Sequence, residues 1–364
     1  MFLRQELPDT GNYDCLTAAR GNSYHLVKGK GDEMTKKERV LAAFNLQKVD
    51  RVPMGFWYHF PKDADPEGEM LKQHLSFYRQ SGNDFIKIMC DGFFNYPNPG
   101  IADIKQASDW KNLQPAGEAF PWIQKQIARA KAIKEAVGEE CCVFYNVFNP
   151  MSLVRFETSD ELLMEHLRED EEAMLHAFKA VAEDVKLLVK GLFETAHLDG
   201  IYYCVQNAEK FRFSTEEYKR IVSPSELDIL EYANTFSDNN ILHCCGWAGD
   251  RNNVEVWKDY PAKCVNWAVY VEKMNLSEGR EFFGGKCVLG GFDNTKKGIL
   301  YAGNKDLILR ETRKLLEDAG TKGIIIGADC TLPGDIPLEH VHWVCEELAH
   351  IGEDTASVSY SRRF

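Results

Sequence analysis

From Val52 onward, short segments rich in β-branched and aromatic residues alternate with longer segments whose apolar residues recur at helical spacing. That alternation marks parallel strands joined by helical crossovers. Eight short segments can be counted: VPMGFWYH (52–59), FIKIMCDG (85–92), CCVFYNVFN (141–149), GIYYCVQNA (200–208), ILHCCG (241–246), CVNWAVY (264–270), CVLGGFDN (287–294) and GIIIGADCTL (323–332). Several are apolar nearly throughout, as strands covered on both faces must be. Before the fourth, Met174, Phe178, Val181, Val185, Leu188 and Leu192 recur at steps of three and four, one buried stripe of a helix. Another helix is expected from about Lys305 to Ala319, stopped by Gly320.

Eight such units predict an α/β fold of the (β/α)8 barrel type, with residues 34–352 as the barrel. Residues 1–33, rich in Gly, Asn and charge and without a period, read as an N-terminal extension, and residues 353–364 as a C-terminal tail. A doubly wound open sheet is the competing architecture, but it calls for a glycine-rich phosphate turn after an early strand, and the sequence has none. The isolated pairs Gly284-Gly285 and Gly290-Gly291 read as tight turns.

Composition narrows the function classes. The 364 residues are 44% hydrophobic and 12% aromatic, enough for a sizeable core in a single barrel. A formal net charge of −13 repels phosphate backbones and anionic membranes, which argues against nucleic-acid binding. The 11 cysteines, with adjacent pairs at Cys141/Cys142 and Cys244/Cys245, suit no small-domain disulfide framework, so a reducing cytoplasm is expected. The N-terminal MFLRQELPDTGNYDC lacks the layout of a secretory signal, and no apolar run is long enough to span a membrane.

Barrel enzymes build their sites at the C-terminal strand ends. The polar residues expected there are His59, Asp91, Asn149, Gln206, Asn207, His243, Cys245, Asp293, Asp329 and Cys330. His243 and Cys245 are two residues apart, so their side chains share a face. Cys330, at the end of the eighth strand, would meet them across a closed mouth. One imidazole and two thiolates form a typical zinc set, and three protein ligands leave a fourth position for substrate. Buried cysteines are also common in cores, so spacing alone fits either role. Asp91 fits an acid, base or orienting group as well as a helix cap. His340 and His342, in PLEHVHWVCEEL, lie on different faces of a helical segment and suggest no second metal site.

From MTKKERVLAAFNLQKVDRVP through ILHCCG to GIIIGADCTLPGD, about residues 34–352, the chain resembles the uroporphyrinogen decarboxylase superfamily, and within it the zinc-dependent methyltransferases of corrinoid systems. In those proteins a His-x-Cys and a later single Cys bind zinc, and the resemblance implies that role for His243, Cys245 and Cys330. True uroporphyrinogen decarboxylases carry an arginine-bearing loop after the first strand. This chain has GFWYHFPKDAD there, and Arg51 lies at the other end of the strand. A substrate with many carboxylates needs such cations, so that decarboxylation is disfavoured.

Two activities remain within the resemblance. One demethylates an aryl methyl ether and passes the methyl group to the cobalt(I) corrinoid of a partner protein; the other moves a methyl group from a methyl-corrinoid to a thiol. Almost no Lys or Arg stands at the strand ends, whereas aromatic residues such as Trp57, Phe93 and Tyr145 are frequent. The expectation is therefore an O-demethylase with a flat, neutral substrate. In it Asp91 serves the leaving oxygen, and Trp57, His59, Phe93, Tyr145, Asn149, Gln206 and Asn207 line the substrate site. A non-catalytic barrel that binds a corrinoid or tetrapyrrole partner is the alternative from another class.

Overall fold

The computed structural model describes residues 33–60, 68–89 and 96–361. Nearly all of the expected extension, together with Asp91 and Phe93, lies outside the described residues.

Eight parallel strands form one sheet in the order β1-β8-β7-β6-β5-β4-β3-β2, a (β/α)8 barrel. They are β1 (Met54–Gly55), β2 (Phe85–Ile88), β3 (Cys142–Phe148), β4 (Gly200–Val205), β5 (Ile241–Cys244), β6 (Cys264–Trp267), β7 (Cys287–Phe292) and β8 (Ile324–Ala328). Each falls within an expected segment and is shorter than it. In the sixth segment the chain turns into a short helix, Val269–Glu272, straight after the strand.

The seam between β1 and β2 is bridged by side chains. Asn83 accepts from the Phe56 N–H at 3.0 Å and donates to the Phe56 carbonyl at 2.8 Å, while Asp84 accepts from the Met54 N–H at 2.8 Å. Polar side chains thus replace ladder bonds that β1 is too short to make.

The helices bury the stripes that their periods predict. Helix Glu171–Glu194 starts on Asp170, whose carboxylate accepts from the Ala173 N–H, and buries all six residues of its stripe. Helix Lys305–Ala319 ends at Gly320, which sits at φ +74°. Gly284 and Gly285 form the expected turn before β7, but Gly290 and Gly291 lie inside that strand at φ +142° and +117°. A Cβ on Gly291 would come within 2.8 Å of Leu315, so the second pair serves close helix packing and not a turn.

At the N-terminal end of the strands, buried charges are paired. Asp84 takes Arg39 at 2.6 Å and Arg51 at 2.8 Å, and Arg39 also holds Asp50 at 2.7 Å. Burial opposes ionisation of Asp84, yet Arg51 and Arg39 outweigh it and hold the carboxyl below the usual aspartate range. No helix among the described residues is long and apolar enough to cross a membrane.

Candidate metal centre

Parallel register aligns one row of polar residues across three strands: Cys204 on β4 pairs with His243 on β5, which pairs with Asn266 on β6. The Asn266 amide nitrogen donates to the Leu289 carbonyl at 2.9 Å and the Ala328 carbonyl at 3.1 Å. Its oxygen must therefore face His243 Nδ1, with which it is hydrogen-bonded, and it also accepts from the Tyr202 hydroxyl at 3.0 Å. An amide oxygen can only accept, so the proton sits on Nδ1 and Nε2 keeps its lone pair. Ligating histidines are oriented in the same way.

Beyond the strand ends, Cys330 Sγ lies 3.5 Å from His243 Nε2 and 3.8 Å from Cys245 Sγ. Zinc bonds of about 2.3 Å to sulfur and 2.0 Å to nitrogen, at tetrahedral angles, separate two sulfurs by roughly 3.8 Å and a sulfur and a nitrogen by roughly 3.5 Å. The donor set fits that ion in chemistry and in spacing. Contact with Cys204, with burial adding to it, pushes the Cys245 thiol up to about 12; contact with Cys245 and burial do the same for Cys330. Only a cation between them would make paired thiolates favourable here.

A further sulfur joins His243 and Cys245 in a second grouping that does not include Cys330. The donor atoms of Cys204, His243 and Cys245 all lie within 4.8 Å of one another. Cys204 lies within a strand and so is not among the strand-end residues of the sequence; its place opposite His243 in the register is the signal that points to it. Beneath the centre, the barrel is filled by Trp57, edge-on to His243 at 6.2 Å, and by Tyr202. The Lys87 ammonium lies 4.2 Å from the Trp57 ring and 3.9 Å from the Tyr202 ring.

The other expected site residues divide into two groups. Gln206 and Asn207 converge near the centre: Ser152 donates to Gln206 Oε1 at 2.9 Å and accepts from Asn207 Nδ2 at 3.0 Å, with Asn207 at φ +69°. Trp57 is buried inside the barrel and His59 is exposed. Tyr145 instead donates to Gln126 of helix Pro121–Val137 at 2.7 Å, and so faces the helix layer. Asn149 caps helix Pro150–Glu157 and donates to the buried Glu226 at 2.6 Å. Burial pushes Glu226 up to about 7, against hydrogen bonds from Tyr260, Asn149 and Tyr218.

Helix Pro150–Glu157 also brings to the mouth a cation that is not a strand-end residue. Arg155 Nη2 donates to Gln206 Oε1 at 2.7 Å, and the guanidinium lies 3.9 Å from the Trp247 ring centre. The expected mouth with almost no cations has this one addition, an arginine that a short helix carries to the strand ends. On the segments that follow β3, β4, β5 and β8, Arg155 Nη1, Asn207 Oδ1, Glu209 Oε1, Asn252 Oδ1 and Asp329 Oδ1 are buried without hydrogen-bond partners. Phe211, Trp247 and Tyr270, after β4, β5 and β6, are exposed aromatic residues on the same end.

The sequence matches the family model described as uroporphyrinogen decarboxylase (URO-D) over residues 94–350. Comparison with curated proteins finds no match. Among solved structures, a methyltransferase from Methanosarcina mazei superposes with a TM-score of 0.67 at 17% identity, covering 88% of this chain and 99% of that one. A B12-independent methionine synthase from a Shewanella species does so with a TM-score of 0.52 at 14% identity, covering 84% and 97%. At these identities the likeness is one of fold.

Proposed function

Since the chain belongs to the uroporphyrinogen decarboxylase family, we propose that it is a zinc-dependent methyltransferase component that demethylates an aryl methyl ether and passes the methyl group to the corrinoid of a separate protein. The observation that carries this reading is the approach of Cys330 to both His243 Nε2 and Cys245 at tetrahedral-edge distances, with Asn266 holding Nδ1 so that Nε2 faces the sulfurs. Zinc in that set would supply Lewis acidity toward an ether oxygen or a thiol sulfur.

The chain's own residues supply the rest. His243, Cys245 and Cys330 would hold the ion. When the methyl carbon passes to cobalt(I), which provides the new bonding pair, the ether oxygen keeps the old pair and takes a proton, for which Asp91 is the proposed source. Gln206 and Asn207 orient the substrate, with His59, Trp57 and Phe93 beside it. Tyr145 and Asn149 act from behind, through the helices they bond. The partner is a corrinoid-binding protein in the same compartment, which we take to be the cytoplasm.

Protein, a reduced corrinoid partner and methoxyarenes, mixed together, are expected to generate methyl-cobalt absorbance, and Asp91→Asn to slow it. Full zinc and full turnover in the Cys245→Ala/Cys330→Ala double variant would reject the reading. The buried Arg155 favours one second reading, transfer from methyl-corrinoid to a charged thiol. Turnover of a thiol with methylcobalamin and of no methoxyarene selects it, and failure of both leaves a non-catalytic corrinoid-binding barrel.

A further inference from the structure

We propose that Arg155 is the substrate-recognition cation of this site, so that the small molecule entering the mouth carries a carboxylate or sulfonate. The inference rests on reading the mouth as a small-molecule site, but on neither choice between ether and thiol.

Arg155 is only 8% exposed, and burial lowers its readiness to stay charged, which is a cost that needs an offset. Asp160 and Glu209 offset part of it through space, but no acceptor of opposite charge touches the guanidinium. Nη2 meets a neutral amide oxygen, and Nη1 meets no acceptor. The nearest carboxylates, Asp160 and Glu209, are both bonded by Arg212, at 2.7 and 2.8 Å. Among the described residues, none forms an ion pair with Arg155. A guanidinium offers its N–H groups in a planar fork that matches two oxygens of one anion, and here that fork is half used.

Its place ties it to the reacting centre. Gln206, which accepts from Arg155, directly follows Val205, whose carbonyl accepts from the Cys245 N–H at 3.0 Å, so the guanidinium's partner lies next to the strand contact of a proposed metal ligand. On its other side lies Trp247, two residues past Cys245 and 46% exposed, the part of the enclosure that meets solvent. An anionic substrate that displaces this ring gains the free Nη1 and keeps its reacting atom on the metal side of Gln206.

The test is calorimetric binding to the zinc-loaded full chain, with two matched probe pairs: 3-methoxybenzoate against 3-methoxybenzamide, and 2-mercaptoethanesulfonate against 2-mercaptoethanol. The expected result is that the anionic member of at least one pair binds about tenfold or more tightly than its neutral partner. Arg155→Gln should remove that preference at unchanged zinc content, and Arg155→Lys should keep part of it. If Arg155→Gln fails to fold, Arg155→Lys carries the test, and an unchanged preference in it counts against the proposal. Equal affinity within both pairs, no binding by any probe, or a preference that survives Arg155→Gln overturns it. A preference confined to the thiol pair and dependent on Arg155 upholds the proposal while the ether reading fails.

Discussion

The two ends of the barrel differ in how completely they pair their buried polar groups. At the N-terminal end, Asp84, Asp50 and Asp199 are matched to Arg39, Arg51, Lys37 and Lys134. At the mouth, polar atoms on the segments after four strands lack partners, and thiols crowd one another. Unpaired buried groups cost free energy, and folds tolerate them chiefly where a ligand makes use of them. The contrast assigns stability to one end and chemistry to the other, as barrels generally do.

The comparison breaks first if the mouth holds no metal. Cys245→Ala is expected to lose zinc by more than the tenfold to hundredfold that attends loss of a mere supporting residue, with secondary structure by circular dichroism unchanged. Next, Asp84→Asn should cost about 3–5 kcal/mol in denaturant unfolding, because it leaves buried arginines without their carboxylate, yet it should keep one zinc per chain. Asn266→Leu should weaken zinc by about tenfold to a hundredfold in chelator competition, since the His243 ring loses its orienting acceptor.

Acid titration gives a smaller effect. The carboxyls of Asp84 and Asp50 lie below their unfolded values, so their stabilisation is full above the ordinary aspartate pKa and is lost as pH falls through the lower folded values. Asp84→Asn should flatten that acid limb of a stability–pH curve. The smallest effect is expected from Cys204→Ser, which should retain stoichiometric zinc if three ligands suffice; loss of zinc would make the centre a closed set of four.

How much of this was legible in the sequence follows from where each residue lies. The strands were, because apolar runs alternating with helical periods have no other economical packing. So was the meeting of His243, Cys245 and Cys330, since a closed barrel brings the ends of β5 and β8 to one mouth. Cys204 and Asn266 were hidden because their importance depends on interstrand register, which strand patterns do not fix. Arg155 was hidden for a different reason: it belongs to a crossover helix, and only the tight Asn149-Pro150 helix start turns it back over the strand ends. Gly290 misled because a bare pair of glycines looks the same in a turn as in a strand packed close to its neighbours.

The row that joins Cys204, His243 and Asn266 also bears on how the protein is made. Before folding, only His243 and Cys245 of the three proposed ligands lie close together, two positions apart, since Cys330 is 85 positions away along the chain. The third donor arrives when β8 docks, and the ring is oriented when β5 and β6 pair without a slip. On the proposed reading, tight zinc capture is expected to be a late event in assembly whose free energy would add to the stability of correctly closed barrels. Time-resolved zinc uptake during refolding would therefore follow completion of the barrel, and not the earlier formation of its helices.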